Sequence, residues 1–229
     1  MNIPDPDDYI NIHTHNSLIA DGVFTVENLM AHENLTPDDI PADAFTAGIH
    51  PWYLNEHNRK EQMGFVQQLA WNSDVIAIGE AGFDKIRGPS MEFQRATFQE
   101  QVKIAEEAGK PLIVHCVRAW DELLASNKAL KPVKPWLVHG FRGKKELALQ
   151  LISRGMYLSF WFDFVLRPES ADLIRFVPDE RIFLETDGAD VDIKSIYEKV
   201  AIDMDCTVND LKNKILSNFH KVFKSEKYD

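Results

Sequence analysis

Short β-branched or aromatic runs alternate along this chain with longer amphipathic stretches, and that alternation is what most restricts its fold. Eight runs read as strands: Tyr9–His13, Val23–Met30, Ala44–His50, Val75–Glu80, Leu112–Cys116, Trp136–Gly140, Tyr157–Phe160 and Ile182–Thr186. Helical patterns fill the later gaps, over Glu56–Asn72, Ser90–Ala108, Trp120–Leu130, Lys144–Arg154, Pro168–Phe176 and Asp192–Met204. A last helix opens at Thr207, with Asp210 three residues on in the manner of a capping box. Its apolar stripe is Leu211, Ile215, Leu216, Phe219 and Phe223. Strand–helix alternation implies parallel strands joined by right-handed crossovers. Eight such units predict an α/β fold of the (β/α)8, TIM-barrel type. The chain shows no linker or solenoid repeat, so residues 1–229 read as one domain.

The first third fits less cleanly. Seven residues separate His15 from Val23, whereas a parallel crossover ordinarily takes a dozen or more. The expectation is a trimmed barrel lacking one or two outer helices there. Its exposed flank would need cover from the N-terminal segment, the C-terminal helix or a second subunit, as in a dimer.

Composition excludes several classes. No apolar run reaches the length of a membrane-spanning helix, and the first residues lack the basic and apolar regions of a secretory signal. Two cysteines, Cys116 and Cys206, cannot build a disulfide framework, which fits a reducing cytoplasm. Cys116 follows a strand-end histidine and reads as core. The 25 Lys+Arg against 36 Asp+Glu leave a net charge of −11. Such a balance argues against a nucleic-acid binder that works by charge alone. It leaves room for an enzyme that meets phosphates through metal ions.

The strand ends carry the chemistry. The first closes on His13-Thr-His15, whose side chains share a face because strand residues alternate. Others close on Glu80, His115, His139 and Asp187. In a barrel these ends form the active-site rim, so four imidazoles and two carboxylates converge. Half of the eight histidines fall at these positions. Imidazole with hard oxygen suits Zn²⁺, Mn²⁺ or Mg²⁺.

The ordered set of segments resembles the TatD family of metal-dependent hydrolases, within the amidohydrolase-like barrels. The matching segments are Ile12–His15, Gly48–Pro51, Ala77–Asp84, Pro111–His115, Val138–Phe141 and Leu184–Asp187, with a closing Asn-containing helix over Leu216–Phe223. The resemblance implies two divalent ions: His13, His15 and Asp187 on one, His115 and His139 on the second, Glu80 bridging. It also implies phosphodiester hydrolysis by an activated water, with DNA or a small phosphodiester as substrate. Asp187 and Glu80 would be the catalytic carboxylates, Asp187 taking the water's proton. The chain departs from the family pattern at Asn11, at Lys85 after Asp84, at Gly140-Phe-Arg142-Gly143, at the spacing of Arg118 from His115, and in its short first third.

Lys85, Arg118 and Arg142 follow ligand-bearing strands and are candidates to contact a phosphate, with surface ion pairs as the alternative. His50, in Gly-Ile-His-Pro, is a candidate to orient the site or touch substrate. Trp52, Tyr53, Trp161 and Phe162 are candidates to stack on bases, with packing as the alternative. Two other functions compete: hydrolysis of a cyclic amide or ester, and a metal-binding scaffold without turnover. Glu80, where many amidohydrolases use a carbamylated lysine, tilts away from the first; the complete ligand set argues against the second.

Overall fold

The computed structural model describes residues 2–15 and 19–223. Eight parallel strands pair in sequence order: β1 (Tyr9–Thr14), β2 (Val23–Met30), β3 (Ala44–Gly48), β4 (Val75–Asp84), β5 (Leu112–Val117), β6 (Trp136–Val138), β7 (Tyr157–Trp161) and β8 (Ile182–Glu185). The helices are α1 (Arg59–Leu69), α2 (Met91–Ala108), α3 (Trp120–Leu130), α4 (Lys145–Ile152), α5 (Phe162–Val165), α6 (Ser170–Ile174), α7 (Ile193–Asp203) and α8 (Val208–Phe223). The helix expected over Pro168–Phe176 is present as α6, shorter at both ends, and α5 is an additional short helix. α5 starts directly at the end of β7.

A backbone bond and the Asn11 side chain complete the barrel between β8 and β1. Asp187 N donates to His13 O at 3.2 Å. Asn11 Oδ1 accepts from Thr186 N at 3.0 Å, and Asn11 Nδ2 donates to Thr186 Oγ1 at 2.9 Å. The amide at position 11, which departs from the family pattern, thus bonds β1 to β8 through both of its polar atoms.

The trimmed flank is as expected, and the chain covers it. Among the described residues no helix lies between β1 and β2 or between β2 and β3. Tyr9 pairs with Val23, so the short connection still returns to a parallel register. Eight residues in extended form reach roughly 26–29 Å, longer than the roughly 20 Å of β1. α8 lies over this flank, its Phe219 ring edge-on to Phe24 of β2 at 5.4 Å. Tyr197 of α7 packs edge-on against Tyr9, and its hydroxyl bonds both the N–H and the carbonyl of Ile10 at 3.0 Å. Beside β2 and β3, Leu35 and Ile40 of the connecting segment close a small cluster with Leu29, Phe45, Ala47, Leu69 and Val75.

The capping box is present: Asp210 N donates to Thr207 Oγ1 at 3.0 Å and Thr207 N to Asp210 Oδ2 at 3.2 Å. Asn218 anchors the same helix, its amide donating to the carbonyls of Asp179 and Ile182 at the foot of β8. Cys116 is half-buried against the core, and burial pushes its thiol up, away from thiolate chemistry.

Candidate metal centre

β4 decides the geometry. It runs to Asp84, four residues beyond the end expected at Glu80, so Glu80 stands inside the strand. The register against β5 shifts between Ile78 and Ala81, and Glu80 and Asp84, four residues apart in one strand, share a face. Two glycines make room for this arrangement. A Cβ on Gly48 of β3 would lie 2.5 Å from the Gly79 carbonyl carbon and 2.8 Å from Glu80 N. Gly79 itself has φ +143°, and a Cβ there would meet Ile113 O at 2.4 Å. Backbones therefore touch where any side chain would push Glu80 away.

Five imidazoles surround the Glu80 carboxylate, which is only 3% exposed. His139 Nε2 lies 2.6 Å from Oε1, His115 Nδ1 2.8 Å and His50 Nε2 3.2 Å. His13 Nε2 and His15 Nε2 approach Oε2 at 3.4 and 3.5 Å, and Asp187 Oδ1 at 3.6 and 3.7 Å. Burial alone would raise the Glu80 carboxyl; the imidazoles of His139 and His50 and the hydrogen bond from His115 hold it well below the usual range. Burial likewise pulls His139 down, but Glu80 and Glu185 outweigh it and raise the imidazole well above its ordinary value.

A cation fits this donor set. Both ring nitrogens of His13 are buried and without a hydrogen-bond partner, a costly state for a polar group inside a core. Its distances to Glu80 and Asp187 are too long for hydrogen bonds. They match the roughly 3.3–3.4 Å that separates ligands in a tetrahedral site with 2.0–2.1 Å bonds. His13, His15 and Asp187 form one group of ligand-type atoms, and His13, Glu80 and His139 another. Carboxylates stand behind two of the imidazoles, as is usual for metal-ligating histidines. Glu185 Oε1 lies 3.4 Å from His139 Nδ1, and Asp84 Oδ2 lies 3.3 Å from His115 Nε2. Glu185 is fixed by Ser159 Oγ at 2.5 Å and Gly140 N at 2.7 Å.

His50 differs from the others. Its Nδ1 accepts the N–H of Trp52 at 3.1 Å, so in the neutral ring Nε2 carries the hydrogen. Burial keeps that ring below its ordinary pKa despite Glu80. His50 is thus a hydrogen-bond donor toward Glu80 Oε1, with its ligating lone pair already used.

All six residues that read as strand-end ligands come together here. Of the phosphate candidates, Lys85 turns outward and pairs with Asp121 at 2.6 and 2.8 Å. It follows Asp84 in an alternating strand, so it faces away from the cluster. Arg118 is exposed. Arg142 stands over the Trp161 ring at 5.5 Å, on the rim beyond His139. Trp52 donates to Asp84 Oδ2 at 2.6 Å, Tyr53 stacks on His32, and Trp161 and Phe162 pack on each other. Sequence reading left Asp84 and Glu185 without a role. The signals were there: Asp84 follows Glu80 at an even spacing, and Glu185 directly precedes Thr186-Asp187.

Residues 40–224 match the family described as TatD related DNase. His13 and His15 lie before that match, and the fold brings them to it. The chain is 34% identical over 154 residues to a 3'-5' ssDNA/RNA exonuclease TatD of Citrobacter koseri, covering 62% of this chain and 56% of that protein. It is 31% identical over 148 residues to an uncharacterized metal-dependent hydrolase, YcfH, of Escherichia coli, covering 63% and 55%. The chain thus spans a little over half the length of the curated relatives it matches. Among solved structures, the TatD homolog YjjV of Escherichia coli superposes with a TM-score of 0.77 at 20% identity, over 96% of this chain and 99% of that one. A TatD family hydrolase of Entamoeba histolytica gives 0.77 at 18%, over 95% and 98%. A dihydroorotase gives 0.60 at 13%, over 95% and 72%, a likeness of fold.

Proposed function

Because this chain belongs to the TatD related DNase family, we propose that it is a metal-dependent hydrolase of phosphodiester bonds acting on single-stranded nucleic acid. The observation that carries this reading is the complete set of imidazoles and carboxylates around Glu80. The relatives named as ssDNA/RNA exonucleases supply the substrate class. The whole chain acts as one catalytic domain in a reducing cytoplasm, a setting its two free cysteines suit.

Two divalent ions, Zn²⁺, Mn²⁺ or Mg²⁺, fit the donors. His13, His15 and Asp187 would hold one, His115 and His139 the other, with Glu80 between them. When bound, such cations supply Lewis acidity, making water a stronger acid and neutralising phosphoryl charge. The residues do the rest. Glu80 stays ionised and fixes the imidazoles around it. Burial raises the Asp187 carboxyl, although His139 and His13 oppose the rise, and that brings it nearer the range of a proton acceptor. Asp187 Oδ takes the proton of the attacking water. His50 Nε2–H donates toward the site. Glu185 and Asp84 keep His139 and His115 oriented.

Arg142, Lys144, Lys145 and Arg167 line a cavity of about 460 Å³ on the same rim, with three carboxylates among its other lining residues. Arg142 Cα lies within about 11 Å of His139 Cα by chain length alone. This is where the strand's flanking phosphates meet positive charge. Lys85, held by Asp121, does not serve the substrate, and Arg118 is left as an exposed cation at the end of β5. A glutamate, Glu80, stands at the centre of the imidazoles where many amidohydrolases use a carbamylated lysine, which favours phosphodiesters over cyclic amides.

Elemental analysis of the purified protein together with assays on a single-stranded oligonucleotide, on bis(4-nitrophenyl) phosphate and on a cyclic amide tests the proposal. Divalent metal and hydrolysis of both phosphodiesters are expected. Hydrolysis of the amide alone, or full metal without turnover, overturns it.

A further inference from the structure

A second cavity, of about 280 Å³, lies along α1, from Asn58 before the helix to Gln68 in its last turn. It lies where β2 ends and α1 begins, in the flank without outer helices. Gln62, Asn58, Asn34, Gln68, Glu61 and His32 line it, and neither lysine nor arginine does. Gln62 is 3% exposed. Its Nε2 donates to Tyr53 O at 3.1 Å, which fixes the amide orientation and leaves Oε1 buried without a partner. Asn58 Nδ2 binds the same carbonyl at 2.7 Å. The His32 ring stacks on Tyr53 at 3.8 Å and 12°. Tyr53 in turn lies 5.7 Å from the His50 ring, whose Nε2 is 3.2 Å from Glu80. Two rings thus separate the cavity from the centre.

Each feature points to the same kind of ligand. A phosphate would seek cations, and this lining has a carboxylate and amides. Neutral amides read the edges of bases. An orphaned buried acceptor calls for an N–H donor, and the carboxylate of Glu61 adds another acceptor. Stacked rings offer a flat face. We infer that this cavity is a base subsite, taking one nucleobase of the substrate strand and favouring bases with an exocyclic amine over thymine. The inference rests on the nuclease reading above.

The test uses full-length, metal-loaded protein and short single-stranded DNA in which one position at a time is adenine, thymine or an abasic sugar. At one position near the cleaved bond, an abasic sugar or thymine should raise KM about tenfold over adenine, the low end for a stacked, hydrogen-bonded base. In Gln62→Leu the adenine strand should show the KM of the abasic strand. His32→Ala, a change at an exposed residue that spares the fold, should also shrink the ratio. No base dependence at any position in the wild type, or a ratio kept in both variants, overturns the subsite while leaving the nuclease reading intact. A wild type that cleaves neither DNA nor bis(4-nitrophenyl) phosphate overturns both.

Discussion

Asp187 concentrates the residue-scale argument. Its backbone has φ +51°, a left-handed conformation uncommon outside glycine and best tolerated by Asp and Asn. Asp187→Asn therefore keeps the backbone, the hydrogen bond from Asp187 N to His13 O and a carbonyl ligand. It removes the atom that accepts a proton at neutral pH. Turnover should fall by about 10²–10⁴, the usual worth of a positioned base. Near-normal turnover with full metal would take Asp187 out of the mechanism. Gly48 makes a second case without any chemistry of its own. In Gly48→Ala the new methyl meets the Gly79 carbonyl carbon and Glu80 N inside van der Waals distance. Overpacking of this kind costs about 1–3 kcal/mol, and here the strain falls on Glu80. Metal content and activity should both drop. Gly64→Ala in α1, where nothing lies within 4 Å, should instead stabilise by about 0.5–1 kcal/mol. Equal effects in the two variants would refute the packing account of β3 and β4.

At the scale of elements, Lys110 offers a signed pH prediction. It sits in the turn from α2 to β5, its ammonium donating to Asn72 O at 2.8 Å. Burial pulls it down to about 8, and the charge of Asp74 offsets this only in part. The unfolded chain keeps that proton up to about 10.4. Between these values the unfolded state binds the extra proton, so stability rises with pH across the window. Lys110 is only part-buried, so the rise is about 1 kcal/mol after allowing for screening. Thermal melts from pH 7.5 to 10.5 should show it in the wild type and not in Lys110→Met; parallel curves would count against it. The elements were largely legible in the sequence, because parallel strands buried on both faces appear as apolar runs and the ligands end them. What escaped reading depends on strand length and barrel closure. β4 runs on past Glu80 to Asp84, and only that length shows Asp84 behind His115. The additional helix α5 has no counterpart among the expected helices, because β7 runs directly into a helical turn. Asn11 appeared as a departure from a pattern; only the closed barrel shows that it bonds β1 to β8.

Across the whole molecule, the charge of −11 sets the conditions under which a polyanion can approach. A net negative protein repels nucleic acid at long range, and the metal centre itself gathers four carboxylates, Glu80, Asp84, Glu185 and Asp187. Arg142, Lys144, Lys145 and Arg167 gather in one cavity, but three carboxylates share it, and Arg87 stands over the Trp52 ring at 4.3 Å. Local cations alone therefore cannot outweigh the field. On the proposed function, divalent ions held at Glu80 would reverse its sign where a scissile phosphate would sit. Binding of a single-stranded oligonucleotide by the Asp187→Asn protein, followed by fluorescence anisotropy near 0.15 M salt, where the screening length is about 8 Å, separates the contributions. Adding EDTA should weaken binding by about an order of magnitude. Arg142→Ala should weaken it further in both states, with a shallower salt dependence, because one phosphate contact is lost. The same chelation should lower the melting temperature, since ions that bind only the folded chain stabilise it by mass action. Tight, salt-resistant binding without metal would show that the approach of the strand is governed by a surface other than the rim around Glu80.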